Sequence, residues 1–318
     1  MFYLGGLVFD DEGSLRHLEN FALIVLAYLS FTAIACLLDF RSLVFPRFIL
    51  DESIGLTPDR ARGPFLQAVA NGMSINLLGL IALDAYRRRR FRGFWGVVQL
   101  VALPIAILAT KTRAVWFSYA VSLVALSLRS PSARIRRLCA GMVFAGIFAV
   151  AFVAMSSVGS NGVLKERLED RNTVDFRMAA YRAGWEMFLE RPRTGWGTHQ
   201  IRAELSDRIA GFQGDVFVVH NTYFEVALEH GLLGLALYVW IIFELFRLGR
   251  PPRTSHGHEC LLSAASWPLW PLLLSVYFVN ATFVVMNYQF VNGLLFTFAG
   301  VVARQRSRSD PYPDHSSC

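Results

Sequence analysis

The chain has 318 residues, 54% of them hydrophobic and only 17% charged, with a mean hydropathy of +0.41. A soluble domain carries about 25% charged residues, so this composition points to a protein whose apolar surface faces lipid. The formal charge of +7 and the pI of about 9.5 do not indicate a nucleic-acid binder, because the basic residues flank apolar runs instead of forming one surface.

A bilayer core needs roughly 17 to 25 mostly apolar residues per helix, and eight runs qualify as spans. In chain order they lie near Phe21 to Leu38, Phe65 to Ala85, Phe94 to Thr110, Ala114 to Leu128 and Leu138 to Met155, then Gly231 to Phe246, Trp267 to Val285 and Phe290 to Ala303. The second carries Gln67, Asn71, Ser74 and Asn76, and the last is short. No basic region precedes the first apolar run, so a removed signal peptide is not expected.

Basic residues in short loops are retained in the cytoplasm. Arg16, the arginines of Arg87 to Arg92, of Arg129 to Arg137, of Arg247 to Arg253 and of Arg304 to Arg308 make sixteen on one side. Arg41, Arg47, Arg60, Arg62, Lys111 and Arg113 make six in the short loops of the other. Both termini are therefore expected in the cytoplasm. The expected fold is all-α: one polytopic membrane bundle over residues 1–318, with about eight transmembrane helices, a large periplasmic loop at 156–220 and a cytoplasmic tail at 304–318.

The large loop is electrically balanced, with nine basic residues between Lys165 and Arg208 and nine acidic ones between Glu166 and Asp215. Within it, Val174, Met178, Tyr181, Trp185 and Phe188 repeat at helical spacing, and Pro192, Gly195 and Gly197 end the pattern. Such a helix either lies on the outer membrane surface with its arginines toward headgroups, or caps the bundle. The loop closes on His220, Asn221 and Tyr223. Asn221 is an N-cap candidate, and the helix dipole beside His220 would favour a neutral imidazole able to accept a proton. A histidine at a helix start also serves plain structural ends.

Arg60, Arg62, Lys111, Arg113, Arg177 and His220 all fall on the outer side under this topology. Arginine pairs naturally with phosphate oxygens, and it also anchors helices at the interface with no chemistry at all. Cys36, Cys139, Cys260 and Cys318 form no CxxC pair, so neither a disulfide framework nor a thiolate metal site is expected. His256, His258 and Cys260 cluster in a cytoplasmic loop, and a polar loop explains them as well as a metal does.

Four segments in order resemble the O-antigen ligase and O-antigen polymerase superfamily, which includes exopolysaccharide polymerases. Arg62, Gly63, Pro64 and Phe65 with Ala70, Asn71 and Gly72 look like its early outer motif. Thr110 to Ala114 is similar to its threonine, serine, arginine turn, with Thr112 at the serine position. Arg177 with Tyr181, Trp185, Pro192, Gly195, Trp196 and Gly197 looks like its outer helix, and His220, Asn221, Tyr223, Glu229, Gly231 and Gly234 look like its histidine segment.

The resemblance implies an inner-membrane glycosyltransferase that takes a glycan from an undecaprenyl-pyrophosphate donor and passes it to lipid A core or to a second lipid-linked glycan. It makes His220 the base and Arg113, Arg177 and Arg62 the pyrophosphate ligands, with Asn221 and Tyr223 placed to orient His220 or the sugar. No metal or other cofactor is implied. Relatives usually carry about ten to twelve spans, so either the start has been lost or set too late, or this is a shortened member. The alternative is a transporter or a noncatalytic partner of envelope assembly; a transporter would show repeated halves and polar groups at the midplane.

Overall fold

The computed structural model describes residues 1–55, 57–91, 93–130, 132–157, 171–209, 219–250, 261–262 and 269–309. Among the described residues there are eleven α-helices and no strand. They are α1 (Phe2–Val8), α2 (Glu12–Leu37), α3 (Ala68–Arg87), α4 (Phe94–Ala109), α5 (Arg113–Arg129), α6 (Ala133–Ser157), α7 (Arg171–Glu190), α8 (Gln200–Arg208), α9 (Thr222–Leu248), α10 (Leu269–Ala281) and α11 (Gln289–Ser309). Each of the apolar runs overlaps a helix among the described residues. By length and composition α2, α3 and α9 can cross a membrane, while α4 and α10 are shorter apolar helices. The cluster of His256, His258 and Cys260 lies outside the described residues.

The chain divides into two compact units. The first comprises Met1–Gly146, Leu245–Tyr277 and Tyr288–Cys318; the second comprises Ile147–Glu244 and Phe278–Asn287.

In the first unit α3 is the innermost helix, with 94% of its apolar window buried against 39% for α2. This accounts for the polar residues that blur its sequence pattern: Asn71, Ser74, Asn76 and Asp84 are buried and face protein. Ser74 donates to the Ala70 carbonyl at 2.7 Å, and Asn76 donates to Ser118 Oγ of α5 at 3.2 Å. Polar groups inside a membrane bundle need such partners, because hydrocarbon offers none.

Ion pairs tie α2 to the end of α3. Arg88 reaches Glu19 at 2.5 Å and Asp84 at 2.8 Å, all three side chains being buried. Arg87 pairs with Asp84 at 3.1 Å, and Arg90 with Glu19 at 3.1 Å. Three arginines of the basic run thus have specific carboxylate partners besides their charge. The start of α2 is fixed by a capping box, in which Ser14 N–H donates to Asp11 Oδ1 at 3.0 Å. Asp10 holds Arg304 and Arg308 of α11 at 2.9 and 2.6 Å.

The second unit is built on α7, α8 and the first turns of α9. Its core contains Ala180, Ala183, Met187, Trp196, Ile201, Leu205, Val219 and Leu228. The stripe expected from Val174 to Glu190 is α7, and its inner face supplies Ala180, Ala183 and Met187 to that core. The short α8 was not evident from periodicity.

Candidate functional site

His220 is exposed, yet both of its neighbours are fixed. Val219 before it is buried in the core of the second unit. After it, Asn221 Oδ1 accepts from Phe224 N–H at 3.1 Å, the N-cap anticipated from sequence, and the Asn221 carbonyl accepts from Glu225 N–H at 2.9 Å. Thr222 Oγ1 donates to the Val284 carbonyl at 2.7 Å and accepts from Met286 N–H at 3.0 Å. Tyr223 donates its hydroxyl to the Phe278 carbonyl at 3.1 Å. The imidazole therefore stands on a rigid pedestal, carried by a capped helix start.

Arg177 is exposed on α7. The contacts between α7 and the first half of α9 define a parallel register. The rings of Tyr181 and Phe224 lie 5.6 Å apart, Gly184 faces Phe224 and Leu228, and the Pro192 carbonyl accepts from Leu232 N–H at 2.7 Å. Both sequence positions increase together along the contact. Arg177 lies one turn before Tyr181 on α7, and His220 lies just outside α9, before its N-cap Asn221. Both precede the Tyr181 to Phe224 contact in the chain.

Between these helices runs an open groove of about 500 Å³ lined by Tyr181, Trp185, Phe188, Asn221, Tyr223, Phe224, Ala227 and Leu235. Its walls are mostly aromatic, with Trp185 and Phe188 rings 5.5 Å apart. Asn221 and Tyr223, the two proposed orienting residues, both face it.

The far end of the pair is closed by a strap, residues 191–199, that crosses a break in α9. Gly231 is non-helical there (φ 65°, ψ −163°). Trp196 N–H donates to the Leu228 carbonyl at 2.8 Å and Gly197 N–H to the Glu229 carbonyl at 2.9 Å. Gly195, at φ +70°, leaves no room for a Cβ, which would meet the Glu229 carbonyl at 2.5 Å; a Cβ on Gly231 would collide with the Arg193 carbonyl. Trp196 is buried, donates from Nε1 to the Met187 carbonyl at 2.7 Å, and lies under the guanidinium of Arg191 at 4.0 Å. Arg208, held by Glu190 at 2.5 Å, covers the ring at 5.0 Å. That guanidinium holds the Glu190 carboxyl below the usual carboxylate range.

Arg62 and Arg113 belong to the first unit. Arg113 opens α5 and is exposed. Arg62 is buried, and its guanidinium donates to the carbonyls of Ile49 and Asp51, both at 2.9 Å, and of Ile54 at 2.5 Å. A pyrophosphate could reach it only by displacing those bonds. The two motifs around these arginines pack into one corner. Ala61 N–H donates to the Ala109 carbonyl at 3.2 Å, Lys111 Nζ to the Asp59 carbonyl at 2.9 Å, and Gly72 fits closely against Thr110 and Val115.

Sequence reasoning missed Trp196 as a junction of three segments, Thr222 as a clasp, and the Tyr181 to Phe224 contact. The last had a signal, since each ring lies four residues after a candidate site residue. Among the described residues no group of three or more His, Cys, Asp or Glu side chains could hold a metal ion.

Among the described residues the protein is helical, with three helices of membrane length, a histidine just before a capped helix start and an exposed arginine on the helix packed against it. Residues 97–239 match the O-antigen ligase family. The match covers less than half of the chain; it makes that central stretch similar to O-antigen ligases and supports a membrane function of that type. The match takes in the Thr110 turn, Arg177 and the His220 segment, and starts after the Arg62 motif. No curated protein matches the chain.

Proposed function

We propose that the protein is a bacterial inner-membrane glycosyltransferase that moves or polymerises a glycan from an undecaprenyl-pyrophosphate donor at the periplasmic face. The observation that supports the proposal is the packing of α7 on the first turns of α9 through Tyr181 and Phe224, since α7 carries Arg177 and the capped start of α9 follows His220. Eight spans with both termini in the cytoplasm fit this reading, since they put Arg113, Arg177 and His220 on the outer side.

His220 is the base. It takes the proton from an acceptor hydroxyl as that oxygen bonds to the anomeric carbon, and the bond from the anomeric carbon to the pyrophosphate oxygen breaks. Undecaprenyl pyrophosphate leaves with the electron pair. Arg177 and Arg113 meet the charge that gathers on the pyrophosphate, a role in which fixed guanidinium groups stabilise the transition state more than the ground state. Asn221 and Tyr223 act by fixing the turn that carries His220 and by lining the groove beside it. Arg62 acts at a distance, by holding the outer corner from which Arg113 projects.

The test is glycan transfer by the purified protein in lipid, from an undecaprenyl-pyrophosphate donor to lipid A core or to a second lipid-linked glycan. His220→Ala is expected to cut kcat by about 10² to 10⁴, the usual worth of a general base, with the fold intact. Full activity in His220→Ala would end the mechanism. The acceptor consumed separates ligase from polymerase.

A further inference from the structure

We propose that Trp196 is a positioning residue that fixes the first turns of α9, whose capped start follows His220, against α7, which carries Arg177, by locking the strap of residues 191–199 into the break of α9. The inference rests on the roles given to those two residues above.

The break exchanges helix bonds for bonds to the strap. In an unbroken helix Leu232 N–H would donate to the Leu228 carbonyl, four residues back. Here Leu232 N–H turns to the Pro192 carbonyl at 2.7 Å, and the Leu228 carbonyl takes Trp196 N–H at 2.8 Å instead. The strap thus stands in for the helix's own bonds, and buried backbone groups stay paired only while it is seated. Its seat is the Trp196 side chain, only 8% exposed, whose Nε1 donates to the Met187 carbonyl of α7. One residue therefore ties the end of α7 to the break of α9.

Releasing that tie has a definite consequence. Without the strap the first turns of α9 would regain their own bonds by straightening through Gly231, and His220 sits at the far end of those turns. A single helical turn is about 5.4 Å of rise, while a misplacement of about 1 Å is enough to cost roughly 10²-fold in rate. The pyrophosphate would still find Arg177 and Arg113, so ground-state binding is largely kept. The expected signature is a fall in kcat with little change in donor KM.

Two measurements test this. In the transfer assay, Trp196→Ala is expected to lower kcat by about 10²-fold with donor KM within about threefold. Trp196→Phe, which keeps an aromatic ring but loses the Nε1 donor, should retain intermediate activity. Gly231→Ala reaches the same break from the other side with Trp196 intact, and should show the same split between kcat and KM. Independently of activity, spin labels at Met178→Cys and His220→Cys, in a chain with its native cysteines replaced by serine, should give one narrow distance with the native strap and a broadened distribution in Trp196→Ala. A narrow, unchanged distance in Trp196→Ala overturns the proposal, as does a loss that falls on KM alone. If the protein with native Trp196 and His220 transfers no glycan, the glycosyltransferase reading fails; a broadened distance in Trp196→Ala then shows a structural tie only, and the positioning role falls with it.

Discussion

The arginines of the first unit's interior and the exposed Arg113 and Arg177 share a chemistry and differ in what surrounds them. Arg62 and Arg88 are buried with their donors committed, the one to three backbone carbonyls and the other to Glu19 and Asp84. Arg113 and Arg177 are exposed. The guanidinium group is the same in each, so proximity to a motif does not decide its role. What decides it is whether the fold has already satisfied the N–H groups.

This contrast can be broken experimentally. The largest effect on stability is expected from Arg88→Gln, which removes the one arginine shared by the buried Glu19 and Asp84 and leaves each with a single ion pair, to Arg90 and Arg87; it should cost up to about 3–5 kcal/mol, read as a lowered melting midpoint in lipid or detergent. Arg177→Ala should leave that midpoint where it is and lower kcat for glycan transfer by about 10² to 10³. A melting shift as large as that of Arg88→Gln would put Arg177 among the structural arginines. Arg62→Ala should do the reverse, losing roughly 2–4 kcal/mol of stability as three buried carbonyls lose their donor, with residual activity following the folded fraction. Loss of donor binding by a fully folded Arg62→Ala protein would make it a ligand after all.

The smallest effect sharpens the comparison on the surface. Arg208 depresses the Glu190 carboxyl in the folded state, so this pair stabilises the fold above the unfolded carboxylate pKa of about 4.3 and loses that contribution as pH falls through the lower, folded value. The melting difference between the native protein and Glu190→Gln should therefore be constant above about pH 5 and shrink in more acidic buffer. A difference that grows on acidification would reverse the assignment.

The helices were legible because apolar runs and helical spacing are local properties. Val174 to Glu190 could be read as one stripe, and Asn221 as a cap, from a few residues each. The polar residues of α3 pulled the other way: Asn71, Ser74 and Asn76 weaken a span in sequence, and only the neighbouring helices reveal that they face inward. The role of Arg62 was hidden for a similar reason, since its acceptors are carbonyls of residues 49–54, a stretch without periodicity. Trp196 was quoted as part of a motif, but its function depends on a carbonyl of α7 and a break in α9, neither of which its own surroundings announce. Composition also gave no hint that α8 would form.

The depth at which α3 lies bears on how the chain enters the bilayer. Its apolar window has a hydropathy of 1.4, the lowest of the three membrane-length helices, and Asn71, Asn76 and Asp84 would face acyl chains if it were inserted alone. Glu19 on α2, before it, pairs with Arg88 just past its end, and Ser118 on α5, which comes after α4, accepts from Asn76. Insertion of α3 is then a joint event in which synthesis must deliver both neighbours before the helix can leave the translocation machinery, so a pause or truncation between α3 and α5 would strand the most polar span at the point where it has half of its partners.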